Sequence, residues 1–166
     1  MTKINFKKIL FNSTIILVIF LIDRISKTYI LKIAELENTV DIYINSYLNF
    51  YLIWNKGIAF GLLSYNENYI YNMVTLAITI IVIAILIMVI KAKGFRKYSL
   101  ILVLGGSLGN LFDRIYYSAV PDFIDFHINN FHWFVFNVAD IFITLGIICL
   151  IFDEIFVNNK KNEKFI

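Results

Sequence analysis

Five aspartates lie at or near the ends of long apolar runs: Asp23, Asp113, Asp122, Asp125 and Asp140. Burying an ionised carboxylate in a bilayer costs several kcal/mol unless it is paired, so residues placed this way are functional candidates. Carboxylates a few ångströms apart cannot both ionise easily, so one pKa rises and the pair shares a proton. The ionised member can take a proton from water while the protonated member polarises a carbonyl. Such a pair hydrolyses an amide without a metal or a covalent intermediate. No other catalytic apparatus competes with it. The chain has no GxSxG, no HExxH and no phosphate-binding glycine loop. Its one cysteine, Cys149, excludes an internal disulfide framework and a cysteine-based zinc site. His127 and His132 are five apart and have no clear third ligand in the sequence, so no metal is expected.

Something must hold these carboxylates, and composition says what. Of 166 residues, 60% are hydrophobic and only 16% are charged, with a mean hydropathy of +0.76. A soluble domain is about 45–50% apolar and about 25% charged. An ordinary cytosolic domain and a disordered tail are both excluded. The net charge of +3 carries no nucleic-acid signal.

A spanning helix needs about 20 mostly apolar residues. Four stretches qualify, at about 9–31, 69–90, 98–117 and 134–156, within a single membrane-embedded unit covering 1–166. The third is uncharged from Tyr98 to Phe112 and then meets Asp113 and Arg114. The fourth spans only if Asn137 and Asp140 lie inside the helix near one end. Lys3, Lys7 and Lys8 precede the first run, but no small-residue cleavage site follows it, so a retained span is expected. Lysine and arginine set the orientation. They crowd the N-terminal tail, the stretch Lys91–Lys97 and the C-terminal tail, and none occurs from Ile115 to Trp133. Both termini are therefore expected in the cytoplasm, with Glu35–Asn66 and Ser118–His132 outside. Partial alternation from Leu48 to Trp54 predicts a strand, and Asn55-Lys56-Gly57 a turn. Trp54 and Trp133 suit an interfacial level. The expected fold is an all-α integral membrane protein, with four transmembrane helices and a small extracytoplasmic β-sheet or cradle.

In this topology Asp23, Asp113, Asp122, Asp125 and Asp140 share the outer membrane level. Gly106, Asn110 and Asp113 recur on one helical face, and Asn137, Asp140 and Thr144 on another. Neither polar stripe can face lipid without loss, so both should face the bundle interior. Gly105 and Gly109 have the spacing that permits close helix approach.

These residues fall in stretches that together resemble the type II signal peptidases, or prolipoprotein signal peptidases. The stretches are Asp23-Arg24-Ile25-Ser26-Lys27 and Asn55-Lys56-Gly57-Ile58-Ala59-Phe60-Gly61, followed by Gly105 to Arg114. Val120-Pro121-Asp122-Phe123-Ile124-Asp125-Phe126 and Phe136-Asn137-Val138-Ala139-Asp140 complete the match. Their order and spacing cover nearly the whole chain, and the joint match is specific where any one stretch alone is weak. The resemblance implies an aspartic endopeptidase of the bacterial cytoplasmic (inner) membrane, with its site at the outer face. It would cut the signal peptide from diacylglyceryl-modified prolipoproteins just before the lipidated Cys. Carried over by motif, the catalytic pair is Asp122 and Asp140. The supporting and substrate-binding positions are Asp23, Lys27, Asn55, Gly57, Asn110, Asp113, Arg114 and Asn137. No metal or cofactor is implied. The expected partners are lipidated prolipoproteins and membrane lipids, with no nucleic acid, and a monomer is adequate because one chain supplies both carboxylates. Arg24 stands where Gln is usual and Pro121 where Val is common. Pro121 restricts its own φ and Val120, stiffening the approach to Asp122.

Blander readings accompany each residue. Asp122 could cap a short helix starting at Phe123. Asp125 is expected to be a solvated loop carboxylate. Asp113 and Arg114 suit a structural ion pair or brace, and Asp23 and Lys27, at i and i+4, an intrahelical pair. Asn55 could be only a turn residue. Two other classes remain: an ion or proton transport component using the aspartates, and a non-catalytic assembly factor. Four spans without a repeat, and without charges through the inner half, argue against a conduction path.

Overall fold

Among the described residues, long apolar stretches separated by short polar ones fold into four α-helices, with a small sheet at one end. The structure, a computed structural model, describes residues 6–57 and 68–158. The motif residues Ile58–Gly61 and the lysines at 3, 160, 161 and 164 lie outside the described residues. The helices are α1 (Phe6–Glu37), α2 (Asn68–Lys91), α3 (Gly94–Tyr117) and α4 (Val138–Phe152); a π-helical stretch, Asp153–Asn158, continues α4. Between them run β1 (Asp41–Asn45), β2 (Leu48–Asn55), β3 (Val120–Ile128) and β4 (Phe131–His132), an antiparallel sheet in the order β1-β2-β3-β4.

α3 is the central helix and packs against α1, α2 and α4. Small residues make this possible. A Cβ on Gly105 would meet Ile19 Cβ at 2.9 Å, and one on Gly109 would meet Asp23 Oδ2 at 2.5 Å, so the predicted close approach is between α3 and α1. Val82, Val89, Leu100, Ile101, Leu104 and Leu111 form a buried cluster between α2 and α3. Polar residues sit inside and apolar ones outside: Asp23, Lys27 and Asp113 are fully buried, while Leu76, Ile80 and Ile83 of α2 are more than half exposed. A lipid-facing bundle has this distribution. Among the described residues, two helices, Phe6–Glu37 and Tyr69–Lys91, have both the length and the hydropathy to cross a membrane. α3 carries Arg96, Lys97, Asp113 and Arg114. The α-helical part of α4 is 15 residues, about 22 Å at 1.5 Å per residue.

The strand expected over Leu48–Trp54 is β2, one residue longer. Phe50 pairs with Ile124 but Ile53 with Asp122, so β2 carries one extra residue opposite β3, a bulge next to Asp122. The fourth helix starts at Val138, not near Phe134 as expected. The preceding segment is claimed by the sheet: Phe123 N and Ile124 N donate to Phe136 O at 3.0 and 2.8 Å, and Phe136 N donates to Ile124 O at 3.1 Å. Below the sheet, Ile30 of α1, Val40 and Phe123 form a second buried cluster. Val138 packs against it at the start of α4.

Candidate active site

Three elements bring Asp122 and Asp140 to one place. β3 carries Asp122. The bridge from Ile124 to Phe136 draws the start of α4 alongside β3. Asn137 then caps α4 reciprocally: its side chain accepts from Asp140 N at 3.1 Å, and the Asp140 carboxylate accepts from Asn137 N at 3.1 Å. The capping box places Asp140 in the first turn of α4, where backbone N–H groups favour negative charge. Both aspartates line one cleft of about 350 Å³, with Asn55, Asn110, Arg114 and Asn137 among its other walls.

Donors surround each carboxylate. Asp122 accepts from Asn55 Nδ2 at 2.9 Å and from Asn137 Nδ2 at 2.6 Å. Asp140 accepts from Asn110 Nδ2 at 2.8 Å. Asn137 therefore touches both carboxylates, one through its side chain and one through its backbone. Burial, and next the charge of Asp140, push the Asp122 carboxyl up from its ordinary 3.8 to about 6, against the pull of Asn55 and Asn137. Asp122 lies in a strand and caps no helix, which removes the reading of it as a cap.

The supporting residues form two braces. In the first, Lys27 Nζ donates to Asp23 at 3.0 Å, to Asp113 at 2.6 Å and to Asn110 Oδ1 at 2.9 Å. Arg24 joins them, 3.0 Å from Asp23 and 2.5 Å from Asp113, with its guanidinium over the Phe112 ring. Two carboxylates thus meet two cations, the pairing that buried charge demands. The expected Asp23–Lys27 pair exists, and it extends across to α3. Asp23 also accepts from Ala139 N at 3.0 Å, holding the N-terminus of α4. In the second brace, Gly57 N donates to Asn55 Oδ1 at 2.9 Å and Arg114 Nη2 donates to the Gly57 carbonyl. Tyr71 Oη donates to Arg114 O at 2.8 Å. Asp113 and Arg114 do not pair with each other. Adjacent on a helix, they face α1 and the Asn55–Gly57 turn respectively.

Asp125 is buried, not a solvated loop carboxylate, because β3 and its neighbours enclose it. It lies 2.9 Å from His132 Nδ1 and 3.6 Å from His127 Nδ1. The sequence contains the signal for this cluster. Asn129-Asn130 is a two-residue hairpin link of the kind that tolerates positive φ, and Asn129 has φ 52°. A hairpin folded there sets His127 opposite His132.

Fold and site together define a class: a helical membrane protein with two donor-ringed carboxylates, one buried and one half-buried, lining one cleft, a geometry suited to acid–base chemistry. Comparison with known proteins narrows it. The family model for signal peptidase (SPase) II matches residues 15–156. The lipoprotein signal peptidase of Pelagibacter ubique (strain HTCC1062) is 58% identical over 165 residues, covering 99% of both chains. That of Anaplasma phagocytophilum (strain HZ) is 40% identical, covering 87% of this chain and 92% of its own. A bacterial membrane enzyme solved by the in meso method at 2.3 Å superposes with a TM-score of 0.70 at 25% identity, covering 91% of this chain and 90% of that one. Another, at 1.9 Å, gives 0.65 at 28% identity over 88% and 93%. The chain belongs to the signal peptidase II family and is an aspartic protease of the bacterial membrane.

Proposed function

We propose that Asp122 and Asp140 are the catalytic dyad with which this lipoprotein signal peptidase removes the signal peptide from prolipoproteins, cutting just before a diacylglyceryl-modified Cys. The observation that carries the assignment is Asn137, which hydrogen-bonds both carboxylates across one cleft. The pair holds one proton. Its ionised member takes a proton from a water that attacks the scissile carbonyl, while the protonated member donates to the carbonyl oxygen. The resulting diol collapses as a proton moves to the amide nitrogen and the C–N bond breaks. Asn55 and Asn137 hold Asp122, and Asn110 holds Asp140, so that the carboxylates need not reorganise during the reaction. Arg114 lines the cleft, and its buried Nη1 has no hydrogen-bond partner among the described residues, which suits a substrate carbonyl.

We read the whole chain as one membrane-embedded unit with four spans, α1 to α4, and both termini in the cytoplasm. The lysine and arginine distribution supports this orientation. So does the position of the sheet and dyad at the opposite end from the basic cluster of Lys7, Lys8, Lys93 and Lys97. The π-helical stretch extends α4 to 21 residues, 138–158, close to the length a bilayer requires. The site then sits at the outer face of the cytoplasmic membrane, where a lipid on the substrate Cys would hold the scissile bond at the dyad. Binding energy from that remote lipid supports turnover at the reacting centre. A monomer supplies the whole site.

Cleavage of a purified precursor tests the reading. Lipidated precursor should be cut and the unlipidated form cut poorly in the same detergent; equal rates would refute the lipid requirement. Reporter fusions at Lys93 and Ser118 should report opposite sides of the membrane, and matching signals would sink the four-span topology.

A further inference from the structure

We propose that Asp125, His127 and His132 bind one transition-metal dication of the zinc type, at a site separate from the dyad. Asp125 and His127 are two apart on β3 and so share one face, and His132 is the cross-strand partner of His127. Asp122, three residues from Asp125, points to the other face. One oxygen and two imidazole nitrogens converge, all within 4.8 Å of one another.

A plain Asp–His hydrogen bond accounts for His132, whose Nδ1 is 2.9 Å from the Asp125 carboxylate. It does not account for His127. That Nδ1 is buried and has no hydrogen-bond partner among the described residues, yet it faces Asp125 Oδ2 at 3.6 Å. Two ligand atoms about 2.0–2.1 Å from a tetrahedral ion stand about 3.3 Å apart. The His127–Asp125 spacing is therefore too long for a hydrogen bond and close to that of two ligands on one ion. Two imidazoles with one carboxylate suit Zn²⁺ or its neighbours in the transition series rather than Mg²⁺ or Ca²⁺, which take oxygen ligands. The His132 side chain is about half exposed, at 55%, leaving an entry path and room for water in the fourth position. An ion here would staple β4 to the strand that carries Asp122. It would stabilise the hairpin without entering the hydrolysis.

Isothermal titration of full-length protein in detergent tests this, with the affinity tag removed and metal stripped by a chelator. Zinc chloride should bind at one equivalent and raise Tm. His127→Gln and His132→Gln should each weaken binding at least tenfold and abolish the Tm shift, while Asp140→Asn should leave both unchanged. Co²⁺ should give the absorption of a tetrahedral site, and His132→Gln, at an exposed position, should lose it even if His127→Gln folds poorly. Absence of saturable binding, binding that survives the double His127→Gln/His132→Gln change, or dependence on Asp140 would each overturn the proposal.

Discussion

Lys27 Nζ lies 2.9 Å from Asn110 Oδ1, and this contact decides which way Asn110 faces. An ammonium can only donate, so the amide oxygen turns toward Lys27. The amide nitrogen is left to donate to Asp140, at 2.8 Å. A lysine on α1 thereby orients a donor to a carboxylate on α4. Lys27→Met should be strongly destabilising, by about 3–5 kcal/mol, because Asp23 and Asp113 then share Arg24 alone in a buried site. Thermal unfolding in detergent checks this. Asn110→Ala should cost only about 1 kcal/mol of stability yet lower kcat more than it raises KM.

Asp122→Asn and Asp140→Asn keep side-chain size and remove the ionisable site. Each should lower turnover of lipidated precursor by about 10²–10⁴-fold in well-folded protein. The double change should be little worse than either single one, because the pair acts as a unit. Asp125→Asn should retain substantial activity, since Asp125 faces the histidines on the other side of β3. Chelator-treated enzyme should still turn over. Full activity in either single variant of the pair would eliminate the dyad.

The pH dependence carries a sign. Asp122 titrates at about 6 in the folded protein, against an ordinary 3.8, so between those values the folded state holds the extra proton. Stability is then greatest at and below pH 3.8 as far as this group is concerned, and declines as pH rises through 6. The span corresponds to about 3 kcal/mol as an upper bound. Asp122→Asn removes this titration. Its stability relative to the parent should improve from pH 4.5 to pH 8, measured by thermal unfolding at both. Activity should show two apparent pKa values belonging to the pair, with the alkaline limb near or above 6, where chemistry limits the rate. A flat stability difference across that range would contradict the burial of Asp122.

Gly109→Ala tests the helix contact behind the site. The new Cβ would fall 2.5 Å from Asp23 Oδ2. Asp23 cannot retreat without releasing Ala139 N and Lys27. A loss of about 1–3 kcal/mol is expected, with a fall in kcat as the start of α4 shifts. An unchanged Tm and rate would show that α1 and α3 separate easily.

Asn137→Ala removes a helix cap and a donor to Asp122 together. About 1–2 kcal/mol should be lost from the cap. Asn137→Asp keeps the cap but sets a third carboxylate against Asp122. It should therefore restore stability at low pH without restoring turnover. Recovery of full activity in Asn137→Asp would show that the amide donor is dispensable.

Periodicity and composition are local properties, and what they encode was readable along the chain. The apolar runs of α1 and α2, the alternation of β2, and the polar stripe that places Asn110 beside Asp113 all follow from spacing alone; Asn137 meets Asp140 as the extended cap of α4 and not as part of a helical stripe. The glycines at 105 and 109 announced a close helix approach, though not that the neighbour was α1. Sequence spacing could not decide which groups meet across long separations. Lys27 lies 83 residues from Asn110, and Asn55 lies 67 from Asp122. The start of α4 is not legible in the sequence because Phe134 and Phe136 are as apolar as a helix interior, and pairing of Phe136 with β3 holds the segment extended. The burial of Asp125 is hidden from the sequence for a similar reason: it depends on a hairpin whose two strands each look like loop. Desolvation and partner choice are set when those segments pack. That packing brings Asp122 against Asn137 and sets Asp125 between two histidines.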